Sequence, residues 1–251
     1  MIQVCLNGPR TAADSGALPM SPAALATAAR QAVAAGAEDV HVHPKTPCGQ
    51  DSLAPQVVAA ALEAIRAVVD VPVGVTTGAW AEPDPERRLA RIKSWTVLPD
   101  HASVNWHEPG AEALAAALME RGVGVEAGIW ARTAATGLFA RSPLAPKVLR
   151  VLAEVISTET GTDAGTDAAS APATARELLA ALADAAPGRP VLLHGMDGGA
   201  WPVLRLAGAL GLDTRIGLED TLLLPDGRPA RDNAELIRAA AAVMSVSACG
   251  T

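Results

Sequence analysis

The sequence predicts an α/β protein: a (β/α)8 TIM barrel, one domain over residues 1–251. Three observations carry the prediction. Short β-branched runs alternate eight times with Ala- and Leu-rich amphipathic stretches. The 251 residues match the size of one such barrel. The first strand ends in "LNGPR", which lacks the glycine-rich dinucleotide turn that often opens a doubly wound sheet, the runner-up architecture.

The elements follow in order. "IQVCL" (2–6) reads as the first strand, and "SPAALATAARQAVAAG" (21–36) as its helix, with Ser21 as cap, Pro22 in the first turn and Gly36 as the stop. "DVHVH" (39–43) precedes a helix over 54–69, and "VPVGVTT" (71–77) a helix over 83–95. "ASVNW" (102–106) pairs with a helix over 110–122, and "GVGVEAG" (122–128) with one over 131–142. Strand six spans 147–156, with its helix at 173–186. "RPVLLHG" (189–195) is followed by a helix over 201–210, and "TRIGLE" (214–219) by the last helix, 233–244. One stretch, 158–174, breaks the rhythm with Gly, Thr, Asp and Ala. It reads as a long flexible loop on the C-terminal face, either a tolerated insertion or a lid.

Composition narrows the function. Half the residues are hydrophobic, with one Phe and no Tyr, so Ala, Leu and Val must build the core. A net charge of -7 without a basic run argues against nucleic-acid binding. Three cysteines give no disulfide framework, and the N-terminus lacks a signal-peptide pattern, so a cytoplasmic location is expected. No apolar window reaches the roughly 18 residues of a membrane span.

In a barrel of this kind, strand ends share one mouth. The polar residues closing the strands are Asn7, His41 with His43, Thr76 with Thr77, Ser103 with Asn105, Glu126, Glu154, His194, and Arg215 with Glu219 and Asp220. His41 and His43, two apart on a strand, face the same side and can converge on one ion, or they are simply a polar strand end. In "TRIGLED" the same period puts Arg215, Gly217 and Glu219 on one face, with Asp220 just beyond. Glu219 is then the candidate third ligand, and Asp220 a candidate base held by Arg215; an ordinary ion pair is the alternative. Cys48, in a turn, is left out. His194 can be a fourth ligand, a substrate contact or a satisfied strand-end histidine, and His101 and His107 read as loop residues. Trp80, Trp106, Trp130 and Trp201 fall just after strands and would wall an apolar pocket or pack in the core.

Several segments together resemble the β-keto acid cleavage enzyme family, best known for cleaving 3-keto-5-aminohexanoate. They are "NG" after strand one, "AGAEDVHVHPK", "TTGA", "ASVN", "VEAGIW" and "RIGLED" with the following "DNAELI". The resemblance implies a zinc-dependent barrel enzyme that condenses a β-keto acid with acetyl-CoA, giving acetoacetate and a new acyl-CoA. By motif position His41, His43 and Glu219 match zinc ligands, and Arg215 and Asp220 the pair that assists activation of the keto acid. Thr76 and Ser103 match hydroxyls that contact its keto-acid end, and Asn7 and Asn105 are expected beside them. A homo-oligomer is expected. Arg10 stands where relatives acting on an amine-bearing keto acid carry a glutamate, so a neutral or acidic keto acid is expected here. Two other readings compete: a barrel hydrolase using zinc-bound water, and a non-catalytic binding barrel.

Overall fold

The computed structural model describes residues 1–156 and 168–248. Eight parallel strands close into one barrel in chain order. They are β1 (Ile2–Cys5), β2 (Asp39–Val42), β3 (Val73–Thr76), β4 (His101–Asn105), β5 (Gly124–Trp130), β6 (Arg150–Val155), β7 (Val191–Gly195) and β8 (Asp213–Ile216). The helices are α1 (Pro22–Ala34), α2 (Pro55–Arg66), α3 (Pro85–Lys93), α4 (Ala111–Glu120), α5 (Ala135–Ala140), α6 (Ala171–Ala185), α7 (Ala200–Ala209) and α8 (Asn233–Ala248). β1 closes onto β8, with Gln3 opposite Arg215, so the predicted TIM barrel is the observed fold.

Local chemistry sets the helix starts. Ser21 accepts from the Ala24 amide and Pro22 occupies the first turn of α1. Asp84 accepts from the Glu86 and Arg87 amides at the start of α3. One parity of strand residues packs under the helices: Val4, Val40, Val75, Val104, Ile129 and Val151 are all buried.

The other parity fills the barrel, and many of its residues are polar. Deep inside, Asp39 and Glu126 share Gln3 Nε2, at 3.1 and 3.0 Å. Arg150 binds both carboxylates, with Nη2 2.7 Å from Asp39 Oδ2 and Nε 2.6 Å from Glu126 Oε1. His101 lies between them, with Nε2 2.9 Å from Asp39 and Nδ1 3.2 Å from Glu126. Burial disfavours a charged His101, but Glu126 and Asp39 outweigh it and push its pKa up to about 10. Two carboxylates thus meet two cations, which is what lets charge persist in a buried layer.

This layer corrects two expectations. His101 is not a loop residue: it opens β4 and is 1% exposed. Glu126 does not close its strand, since β5 runs four residues further, to Trp130. Strand eight is also shorter than predicted. It stops at Ile216, and residues 217–220 form a turn. Of the predicted 158–174 loop, residues 158–167 lie outside the described residues. Residues 168–170 are a turn, and α6 begins at Ala171, earlier than predicted.

Candidate active site at the barrel mouth

His41 sits on β2 and His43 just beyond it, both 1% exposed. Asn7, past the end of β1, holds the second histidine by its backbone. Its Nδ2 donates to the His43 carbonyl at 2.9 Å, and its Oδ1 accepts from the His43 amide at 3.0 Å. The side chain thus continues the β1–β2 ladder beyond the strands and is buried. Asp51 holds the same histidine by its ring, with Oδ2 3.3 Å from Nδ1. Lys45 Nζ, 2.5 Å from Asp51 Oδ1, steadies that carboxylate and also donates to the Gly8 and Arg10 carbonyls at 2.7 and 3.1 Å. A proton on Nδ1 facing Asp51 leaves the Nε2 lone pair free for the barrel mouth.

Glu219 reaches the histidines through the turn after β8, not by strand alternation. The turn is drawn tight against β1. The Glu219 amide donates to the Cys5 carbonyl at 3.3 Å, and a Cβ on Gly217 would stand 1.9 Å from that oxygen. Gly8, at φ +58°, passes directly beneath; a Cβ there would lie 2.5 Å from Glu219 Cγ. Asn233, at the start of α8, completes the clamp. It accepts from the Leu218 amide and donates to the Leu6 carbonyl, both at 2.9 Å.

The three side chains converge. Glu219 Oε2 lies 3.8 Å from His41 Nε2, and Oε1 3.6 Å from His43 Nε2. One ligand atom from each lies within 4.8 Å of the others. These gaps are too long for hydrogen bonds and close to the roughly 3.4 Å between ligands around a tetrahedral ion with bonds near 2.1 Å. His43 Nε2 and Glu219 Oε2 are buried without hydrogen-bond partners among the described residues. Two imidazoles and a carboxylate are also a donor set that suits zinc and leaves a coordination position for substrate. Burial pushes the His41 pKa down to about 4, keeping its imidazole neutral. Burial alone would lift Glu219, but Arg215, His43 and His41 hold it well below the usual carboxylate range.

Arg215 joins the ligand to the candidate base. Its Nη2 lies 2.7 Å from Glu219 Oε1 and 3.1 Å from Asp220 Oδ1, and its Nε 3.2 Å from the same Asp220 oxygen. Asp220 is 0% exposed, and its Oδ2 has no partner among the described residues. His194 does not join the triad. It spans two carboxylates instead, with Nδ1 3.2 Å from Asp220 Oδ1 and Nε2 3.1 Å from Glu154 Oε2.

The other expected site residues divide by what holds them. Thr76 and Ser103 are register partners on β3 and β4 and share the inner face with His41. The Thr76 hydroxyl accepts from the Gly78 amide at 3.2 Å. Asn105 Nδ2 donates to Glu108 Oε1 at 2.8 Å, and Arg88 anchors Glu108 at 2.7 Å. Arg10 lies beside the triad with its guanidinium engaged: Nη2 is 2.7 Å from Asp197 Oδ1, and Nε donates to the Glu219 carbonyl at 3.1 Å. Of the tryptophans, Trp80 covers the site, its ring parallel to His43 at 5.7 Å and 42% exposed. Trp106 packs on Phe139. Cys48 is exposed in its turn.

Sequence reasoning missed Asp51, and it placed Glu154 and His194 at the mouth without the contact between them. The isolated bridge between Lys45 and Asp51 folds "KTPCGQD" back on itself, and the turn residues Pro47 and Gly49 are its one sequence signal.

A parallel closed barrel with a buried His–His–carboxylate triad that could hold a metal ion, and an Arg–Asp pair beside it, defines a TIM-barrel protein with a candidate metal centre. The chain matches the β-keto acid cleavage enzyme family model over residues 1–248 and belongs to that family. In shape it is similar to ObcA in a ternary complex with a C4-CoA adduct and oxalate (TM-score 0.68) and in a binary complex with oxaloacetate (TM-score 0.69). Both are 17% identical, with 89% of this chain and 63% of the other covered, so the chain spans under two thirds of their length. The Amycolatopsis orientalis BexX/CysO complex is also similar, at TM-score 0.53, 17% identity and 90% and 87% coverage. At these identities the likeness is one of fold. Among curated proteins nothing matches.

Proposed function

We propose that the chain is a zinc-dependent transferase that condenses a β-keto acid with acetyl-CoA, giving acetoacetate and a new acyl-CoA. One observation carries the reading: three buried ligand side chains meet beside an Arg–Asp pair whose aspartate keeps a free oxygen. Family membership supports the substrate class, and the ObcA complexes hold a keto acid and a CoA adduct.

His41, His43 and Glu219 would hold the ion, which when bound would polarise the keto acid's carbonyl and make its C2 hydrogen acidic. The remaining steps belong to the chain's own residues. Thr76 and Ser103 orient the carboxylate end. Asp220 Oδ2 removes the C2 proton, while Arg215 on Oδ1 holds the carboxylate in position. The C2 carbanion attacks the acetyl thioester carbonyl, forming the new C–C bond and releasing CoA thiolate. The thiolate attacks the original 3-keto carbon, the C2–C3 bond breaks, and C2 recovers the proton from Asp220. Acetoacetate and the acyl-CoA leave. No protein nucleophile is needed. Asn7 acts through His43 as a positioning residue, and Arg10 through Glu219 and Asp197. An anionic chain end would meet Arg10 only in competition with Asp197.

The test is metal content together with acyl exchange from acetyl-CoA over a keto-acid panel. The proposal expects about one equivalent of divalent metal, lost in His41→Ala with His43→Ala. It also expects CoA-dependent release of acetoacetate. Hydrolysis of a lactone or amide without CoA consumption would overturn it.

A further inference from the structure

The inner face of β4–β6 carries polar groups that neither the triad nor the Arg–Asp pair uses. Glu154 is 4% exposed. Its Oε2 is engaged by His194 at 3.1 Å, while Oε1 is buried with no partner among the described residues. On the neighbouring strand, Gly128 presents bare backbone close to that oxygen. A Cβ there would stand 2.7 Å from Glu154 Oε1 and 2.7 Å from Asn105 Oδ1. Two acceptor oxygens therefore converge over bare backbone. The Asn105 amide nitrogen is committed to Glu108, which assigns the oxygen as the end turned to Gly128.

A donor lies on the same face. Trp130 is the register partner of Glu154 and shares the inward parity of Gly128. Its Nε1 is buried without a partner among the described residues, and its ring leans on His107 at 4.4 Å. The location fits a substrate's chain: one imidazole, His194, separates Glu154 from the aspartate assigned to C2.

We infer that this cluster is the acyl-chain subsite and that it takes a keto acid bearing a hydroxyl on its chain; the inference rests on the proposed function. A hydroxyl donates its hydrogen to a carboxylate or amide oxygen and accepts from the indole N–H, so it satisfies both kinds of group. A carboxylate would meet the charge of Glu154. An alkyl chain would leave Glu154 Oε1 and the Trp130 indole N–H desolvated and unpaired. An ammonium would serve the oxygens and leave the indole unpaired.

The experiment compares kcat/KM with acetyl-CoA for 3-oxo acids of equal chain length, carrying hydrogen, hydroxyl, ammonium or carboxylate at the far carbon. Wild type, Glu154→Leu and Glu154→Gln are assayed, with thermal melts to check folding. Wild type is expected to prefer the hydroxyl over the hydrogen chain by about tenfold or more. Glu154→Leu brings the two to within about twofold, and Glu154→Gln keeps most of the preference because an amide still pairs with a hydroxyl. Equal use of the two chains by wild type overturns the inference and leaves the proposed function standing, and it decides the matter even if the leucine variant does not fold. A preference that survives Glu154→Leu also overturns it, as does an ammonium preference lost in Glu154→Gln. Failure of wild type to turn over any keto acid removes the proposed function, and this inference with it.

Discussion

Raising the pH should unlock the barrel from its interior. His101 holds its proton up to about 10 in the folded chain, against an ordinary value of 6.5, because Glu126 and Asp39 outweigh its burial. Between those values the native state binds a proton that the unfolded chain has released, so stability falls as pH rises. The contribution is complete below pH 6.5 and is lost on the way to about 10. Within that window a single group gives a slope of about 1.4 kcal/mol per pH unit, or about 3 kcal/mol from pH 7.5 to 9.5. That is a large share of the roughly 5–15 kcal/mol that holds a typical domain together. The Met1 amino group and the buried Cys5 thiol also have raised pKa values and add to the same trend. Comparing wild type with His101→Gln cancels them. Denaturant unfolding at pH 7.5, 8.5 and 9.5 should show the wild type's advantage over the variant shrinking by about 3 kcal/mol. Parallel pH slopes in the two proteins would refute the buried ion cluster as the cause.

Two further outcomes follow from the site. Asp51→Asn removes the charge that holds the His43 ring and should weaken divalent-metal binding by about 10- to 100-fold, read by competition with a chromophoric chelator; unchanged affinity would dismiss Asp51 as the orienting group. Gly217→Ala places a methyl against the Cys5 carbonyl, which belongs to a barrel strand and cannot yield. A loss of about 3 kcal/mol or more is expected in denaturant unfolding, and an unchanged midpoint would contradict the close approach.

Much of the fold was legible because local pattern and tertiary demand agree. Every predicted strand and helix exists, with ends displaced by a few residues. The histidine pair was legible too, since a period of two puts His41 and His43 on one face whatever the barrel does. Polar residues inside the barrel were harder to read. His101 looks like a loop residue because its compensating charges, Asp39 and Glu126, lie on two other strands. Glu154 and His194 were visible as polar strand ends, yet nothing in the local sequence says that they bind each other across neighbouring strands.

The sequence by itself determined the eightfold alternation, the caps that start α1 and α3, and the inward parity of the histidines, because each depends on neighbours a few residues away. Closure of the barrel decided the site. It set β8 beside β1 and so carried Glu219 to histidines more than 170 residues earlier in the chain. Asp51 reached His43 by a folded-back loop, and the turn at 217–220 replaced the expected strand face because the chain must bend sharply over β1. Contacts of that kind are fixed by which backbones come close in space, and sequence period carries no information about that.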